Sequence, residues 1–156
     1  MRNYVFLSIF ALTAAVAADH PALGGTWVLD ASHSDTDASK IKAETLSINQ
    51  QPESVQLAET ITGVNGKETS SEISCNTGGE TCKIKDHGQA EVSFWYNNGV
   101  LVMSEIRHGN DWEVRRRLKL SDDGRTLTME VIHLAPAQKP ETLTFTRSQT
   151  AKSGGD

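Results

Sequence analysis

From residue 25 to residue 148, apolar side chains recur at every second position, and clusters of turn-forming residues interrupt the pattern nearly every ten residues. A period of two is the repeat of a β-strand, whose successive side chains point to opposite faces. After the N-terminal leader no window sustains the 3.6-residue apolar repeat of an amphipathic helix. The pattern predicts strands near 25–30, 43–50, 54–62, 67–75, 80–86, 89–97, 100–108, 111–120, 126–134 and 141–148. Between them lie Gln51-Pro52-Glu53, Asn65-Gly66, Gly78-Gly79, His87-Gly88, Asn97-Asn98-Gly99, Gly109-Asn110-Asp111, Asp122-Asp123-Gly124 and Ala135-Pro136-Ala137. Each supplies residues suited to turn geometry. Connections this short make neighbours in sequence neighbours in space, which is the layout of a β meander. The stretch Ala31 to Ala43 is the one other long connection, polar enough to form a short helix over one end.

Alternate positions collect Trp27 and Leu29, Leu46 and Ile48, Val55, Leu57 and Ile61, then Ile73, Ile84, Val92, Phe94 and Tyr96 on one face. The same phase continues through Val100, Val102, Ile106, Trp112, Val114, Leu118, Leu120, Leu127, Met129, Val131, Leu143 and Phe145. The opposite phase is mostly Thr, Ser, Glu, Lys and Gln. A sheet of about eight to ten strands with one apolar face buries that face most simply by curling into an antiparallel up-and-down barrel. A two-sheet sandwich is the competing all-β architecture, but its Greek-key connections need longer crossings than most of these turns provide.

Residues 1–18 read as a secretory signal peptide: Arg2, an apolar run from Tyr4 to Ala17, and small residues at Val16, Ala17 and Ala18. The run is shorter than the roughly 20 residues of a membrane-spanning helix. The leader holds no Cys for lipid attachment. The mature chain is therefore expected to be secreted or periplasmic, without stable membrane insertion. It forms one domain over 19–148, followed by a disordered tail at 149–156. Loss of Arg2 leaves 14 basic against 20 acidic residues, a net charge of about −6, which argues against a nucleic-acid partner. Only Arg115-Arg116-Arg117 goes the other way, and a strand splits that run between its faces.

Cys75 and Cys82 are the only cysteines and lie in the exported part, where a disulfide between them is expected. Folding about Gly78-Gly79 would set them opposite each other on neighbouring strands. The loop they close is short, so the gain is on the order of 2 kcal/mol. A metal or redox role is the weaker reading, because the spacing is not Cys-x-x-Cys and no second pair has zinc spacing.

Gly25-Thr26-Trp27, opening the first strand, resembles the Gly-x-Trp signature of lipocalins and fatty-acid-binding proteins. The resemblance implies a calycin-type, lipocalin-like barrel in which Trp27 packs across one end. It also implies that Arg147, which ends the final strand Leu143-Thr144-Phe145-Thr146-Arg147, lies over the indole. Such a stack contributes roughly 0.5 to 2 kcal/mol. The stretch from Leu118 to Thr128 is similar to small exported bacterial lipocalin-like proteins. One departure is plain: the 31–43 connection is too short for the two-helix lid of fatty-acid-binding proteins.

Four polar residues fall in the inward phase: Glu59, Ser104, Arg116 and His133. A charge inside a barrel must be paired, hydrated or ligand-bound. In the functional reading Arg116 receives the carboxylate of an amphiphilic ligand through a two-pronged hydrogen bond, assisted by Ser104 and Tyr96. In the structural reading Arg116 pairs with Glu59, or a bulge turns one of them outward. His133 is either a half-exposed histidine without special duty, an axial haem ligand, or a general base. No other cofactor is implied, and no spacing among the five histidines suggests zinc. Catalytic motifs are absent: there is no Gly-x-Ser-x-Gly, phosphate-binding glycine loop or His-Glu-x-x-His. Asp122-Asp123 reads as turn chemistry, and Trp95 as a single outward aromatic.

These features define a leading expectation, an exported binding protein for a small apolar or amphiphilic molecule. The alternative is an exported protease inhibitor or other partner-binding barrel, with Asp19 to Gly24 or a loop as its active part. A third possibility is an enzyme using Glu59 or His133 as base. A connected cavity of about 300 Å³ or more favours ligand binding, and a solidly filled interior favours a partner.

Overall fold

A computed structural model describes residues 20–35, 41–84, 90–109 and 111–148. The expected leader at 1–18 and tail at 149–156 lie outside them. The chain forms ten strands: β1 Gly25–Leu29, β2 Ile41–Gln50, β3 Ser54–Gly63, β4 Glu68–Asn76, β5 Gly78–Ile84, β6 Ala90–Asn97, β7 Val100–Arg107, β8 Trp112–Leu120, β9 Thr126–Ala135 and β10 Glu141–Arg147. One antiparallel sheet contains them all in the order β4-β3-β2-β1-β10-β9-β8-β7-β6-β5. The sheet curls so that its inner face encloses a single apolar core, a nearly closed barrel with almost no helix among the described residues. A 3-10 turn at Ala31–His33 is the helix present in the first connection, capped by the Asp30 carboxylate on Ser32 N.

Because β1 pairs with both β2 and β10, the first and last strands close on each other in the middle of the sheet. The free edges fall instead on β4 and β5, which are consecutive in sequence but joined by no ladder. This corrects the expected hairpin about Gly78-Gly79. The chain reverses at Thr77, whose N–H donates to Glu53 O, and both glycines open β5, which pairs with β6. Cys75 faces Val55 on β3, Cys82 faces Val92 on β6, and the Cys75–Cys82 disulfide spans the seam with its Cα atoms 5.9 Å apart. The bridge thus ties together the two unpaired edges of the barrel.

A second correction concerns β7. Asn98 and Gly99, at φ 48° and 76°, form a two-residue turn of the kind that needs positive φ at both positions. Asn97 therefore pairs with Val100, Tyr96 with Leu101 and Phe94 with Met103. Leu101 and Met103 join the core, whereas Val102 and Ser104 belong to the outer face beside Trp95 and Arg115. Treating Asn97-Asn98-Gly99 as a three-residue loop puts Val100, Val102, Ser104 and Ile106 inside. One residue of register exchanges the two faces of the strand.

Candidate functional site

The two ends of the barrel differ in what they bury. At one end the peptide from His20 to Gly24 crosses the opening. Leu23 is fully buried, its N–H donates to Gln50 Oε1 at 2.8 Å, and its carbonyl accepts from Trp27 Nε1 at 2.9 Å. Arg147 lies 4.3 Å from the Trp27 ring centroid and donates to the carbonyls of Gly24, Ala22 and Gly124 at 2.7, 3.0 and 3.2 Å. Gly25 adopts φ +135°, and a Cβ there would lie 2.8 Å from Arg147 Nη1. The glycine of the Gly-x-Trp tripeptide thus makes room for the guanidinium that covers the tryptophan. Tyr96 belongs to this closed end: its hydroxyl accepts from Gln50 Nε2 at 3.0 Å and its ring stacks on His20 with centroids 3.8 Å apart. Burial raises the Tyr96 phenol above its ordinary pKa, and the Gln50 hydrogen bond opposes that.

At the far end the inner face turns polar. Glu44 on β2 continues the inward phase of Leu46 and Ile48, and Glu59 on β3 lies diagonally across from it, since Glu44 pairs with Ile61 and Leu46 with Glu59. Glu105 and Arg107 end β7, Arg116 lies on β8 opposite Met103 and Val131, His133 faces Val114, and Glu141 opens β10 opposite Val131. Arg116 Nη1 stands 3.6 Å from Glu59 Oε2. Arg107 Nε donates to Glu105 Oε1 at 2.9 Å, and its guanidinium stacks 4.2 Å from the Trp112 ring centroid. Two buried polar atoms here have no hydrogen-bond partner, Glu44 Oε1 and His133 Nδ1.

Glu44 is only 2 % exposed. Burial, and next the negative charge of Glu59, push its carboxyl from 4.5 up to about 8. The Arg116 charge opposes the shift, while a hydrogen bond to Glu59 and the charge of Glu141 add to it. At neutral pH the Glu44 carboxyl is therefore protonated, which spares the barrel an isolated buried charge.

A cavity of about 190 Å³ lies against this cluster, lined by Glu59, Ile61, Thr69, Ser70, Ser71, Ile73, Glu105, Arg107 and Arg116. Ser70 belongs to the outer face of β4, so the cavity reaches the sheet edge. A larger depression of about 310 Å³ lies on the outside, between His20, the Pro52-Glu53 turn and residues 76–80, away from this cluster.

Among the residues expected to bind ligand, Glu59 and Arg116 come together on the cavity wall, and His133 faces the interior at the same end. Tyr96 lies at the opposite end. Ser104 is on the outer face, and its expected place beside Arg116 is corrected with the register of β7. The residues that sequence reasoning passed over are Glu44, Glu105 and Arg107. The phase of Leu46 and Ile48 points to Glu44, and the Asn98-Gly99 turn points to the other two.

The fold is that of the calycin-type, lipocalin-like β-barrels. Fatty-acid-binding protein 1 of Echinococcus granulosus superposes with a TM-score of 0.59 at 14 % identity, over 82 % of this chain and 98 % of that one. Secretory abundant heat soluble protein 4 of Ramazzottius varieornatus gives 0.61 at 10 % identity, over 81 % and 94 %. The wild-type fluorescent protein UnaG gives 0.54 at 14 % identity, over 81 % and 97 %. No protein-family model and no curated protein matches the sequence.

Proposed function

We propose that this chain is an exported, lipocalin-like binding protein that sequesters or carries a small hydrophobic or amphiphilic ligand in its barrel. The observation that carries the reading is the cavity at the polar end, where Ile61 and Ile73 share the wall with Arg107, Arg116, Glu59 and Glu105. A concave apolar surface with a few convergent charged groups is the usual composition of a small-molecule site. At about 190 Å³ the cavity falls below the ~300 Å³ at which such sites usually begin. The ligand is accordingly small, with its head among the charged groups. Two solved structures that share the fold are named as fatty-acid-binding proteins, which agrees with an interior site. The signal-peptide-like pattern of residues 1–18, with Arg2, an apolar run and small residues at 16–18, supports export.

Native mass spectrometry of protein purified from its own source tests the reading. The expected result is a bound small molecule that is released on denaturation. A bare protein that also takes up no short-chain amphiphile when titrated with one would exclude it.

The partner-binding alternative draws on the solid packing of the closed half, which Trp27, Phe94 and Phe145 fill. Its active arm would be the peptide preceding β1. That peptide is instead held inside the barrel mouth through Leu23 and through the Ala22 and Gly24 carbonyls. A segment so tied has little freedom to insert into a protease.

A further inference from the structure

Among the described residues, the inward groups of the polar end include the carboxylic acids Glu44, Glu59 and Glu105 and the guanidinium ions Arg107 and Arg116. Both guanidiniums already have an acid beside them, Glu105 at 2.9 Å and Glu59 at 3.6 Å. A ligand carboxylate would bring a further acid into this space and would have to draw Arg116 away from Glu59. Like charges so placed repel strongly in a poorly solvated interior. Glu44 Oε1, by contrast, is a buried acceptor with nothing donating to it. It lies on the same inner face as Glu59, which borders the cavity. An acceptor left unmade inside a protein is destabilising, and a donor arriving with a ligand removes that cost.

We propose that the ligand's polar head is a protonated amine, held between Glu44 and Glu59, with its apolar part against Ile61 and Ile73. An ammonium group brings three N–H donors and no acceptor, which matches carboxylate oxygens and not guanidinium. The inference rests on the ligand-binding reading and specifies its substrate class. Entry of the cation stabilises Glu44 as its carboxylate, so the proton on that carboxyl leaves to solvent as the amine binds. Arg116 remains beside Glu59. Glu141 on β10 adds negative charge from the opposite side, and His133, with Nδ1 unpartnered, also faces inward at this end among the described residues.

Isothermal titration of the purified protein at pH 7.5 with n-octylamine, octanoate and 1-octanol tests this. The three probes share a chain and differ in head charge. Octylamine is expected to bind about tenfold or more tighter than octanoate, a difference of at least ~1.4 kcal/mol. Its affinity should rise from pH 6 to pH 8.5, and its enthalpy should depend on the ionisation enthalpy of the buffer, reporting a released proton. Glu44→Gln and Glu59→Gln should each remove the preference for octylamine over octanoate and 1-octanol. If octanoate binds as well as octylamine or better, the amine assignment is wrong while the binding reading stands. If octylamine wins but neither Gln variant alters it, the head group is not held where we place it. If none of the three binds, the ligand-binding reading itself fails. Should a Gln variant fail to fold, the buffer dependence of the unsubstituted protein decides, and its absence overturns the role of Glu44.

Discussion

At the end of the barrel closed by Trp27, the polar groups of the cluster are well paired: the indole N–H reaches Leu23 O and the Arg147 guanidinium reaches three carbonyls. At the opposite end Glu44 Oε1 and His133 Nδ1 are buried with no hydrogen-bond partner among the described residues. Satisfied polar groups around a packed indole stabilise a fold, whereas an unsatisfied acceptor beside a second acid weakens it. The barrel therefore separates its tasks along its axis, with stability concentrated around Trp27 and an accepted weakness at the cavity. Substitutions at the two ends should move stability in opposite directions.

The largest effect is expected at the closed end. Trp27 is fully buried in the core that also holds Leu23, Leu46 and Phe145, so Trp27→Ala should lower the unfolding free energy by about 3–5 kcal/mol through lost burial and an unfilled cavity. Urea denaturation followed by circular dichroism measures it. A loss under about 1 kcal/mol would remove Trp27 as the centre of that end.

At the open end Glu44→Gln should be stabilising, and only in part of the pH range. The Glu44 carboxyl titrates near 8 in the folded chain and near 4.5 in the unfolded chain. Between those values the folded state holds a proton that the unfolded state has released, so this group makes stability fall as pH rises from about 4.5 to about 8. The full penalty is present above 8 and absent below 4.5. Its upper bound is of order 4–5 kcal/mol. The glutamine variant should gain about 2–4 kcal/mol over the unsubstituted protein at about pH 9, and nothing at about pH 4, in parallel urea titrations. A constant difference across that range would mean that Glu44 does not carry the proton.

The closed end was far more legible in the sequence than the open one. The Gly-x-Trp tripeptide, the terminal Arg147 and the strict alternation of β10 and of Thr126 to Val131 in β9 each point to one arrangement, because only one phase of those stretches is apolar. In β7 both phases are apolar over Val100-Leu101-Val102-Met103, so the pattern cannot choose a face, and the length of the Asn98-Gly99 turn decides it. That ambiguity hid Glu105 and Arg107 and put Ser104 inside. Glu44 was hidden for another reason: a lone acid at the start of a strand reads as solvent-facing, although the phase of Leu46 and Ile48 carries it inward. The seam was missed because short connections favour pairing of sequence neighbours, a tendency that the edges at β4 and β5 break.

The disulfide belongs to that seam. Since β4 and β5 share no ladder, reduction or Cys75→Ser with Cys82→Ser should cost about 2 kcal/mol. The loss should appear first as faster amide exchange in β4 and β5, while β1 and β10 stay protected. Uniform exchange across all ten strands would show that the bridge stabilises the whole chain and not its open edge.

The smallest effect separates two causes within the closed end. Gly25→Ala places a Cβ at φ +135°, a conformation that costs an L residue of order 1–3 kcal/mol. It also places that Cβ 2.8 Å from Arg147 Nη1. The guanidinium is the far end of a flexible side chain and can swing away, so the backbone should account for most of a loss of about 1–2 kcal/mol. A double-mutant cycle with Arg147→Ala resolves the two. If backbone strain dominates, Gly25→Ala costs nearly the same with and without the arginine. If instead the cost shrinks by more than about 0.5 kcal/mol in the alanine background, the glycine is there chiefly to seat the guanidinium over Trp27.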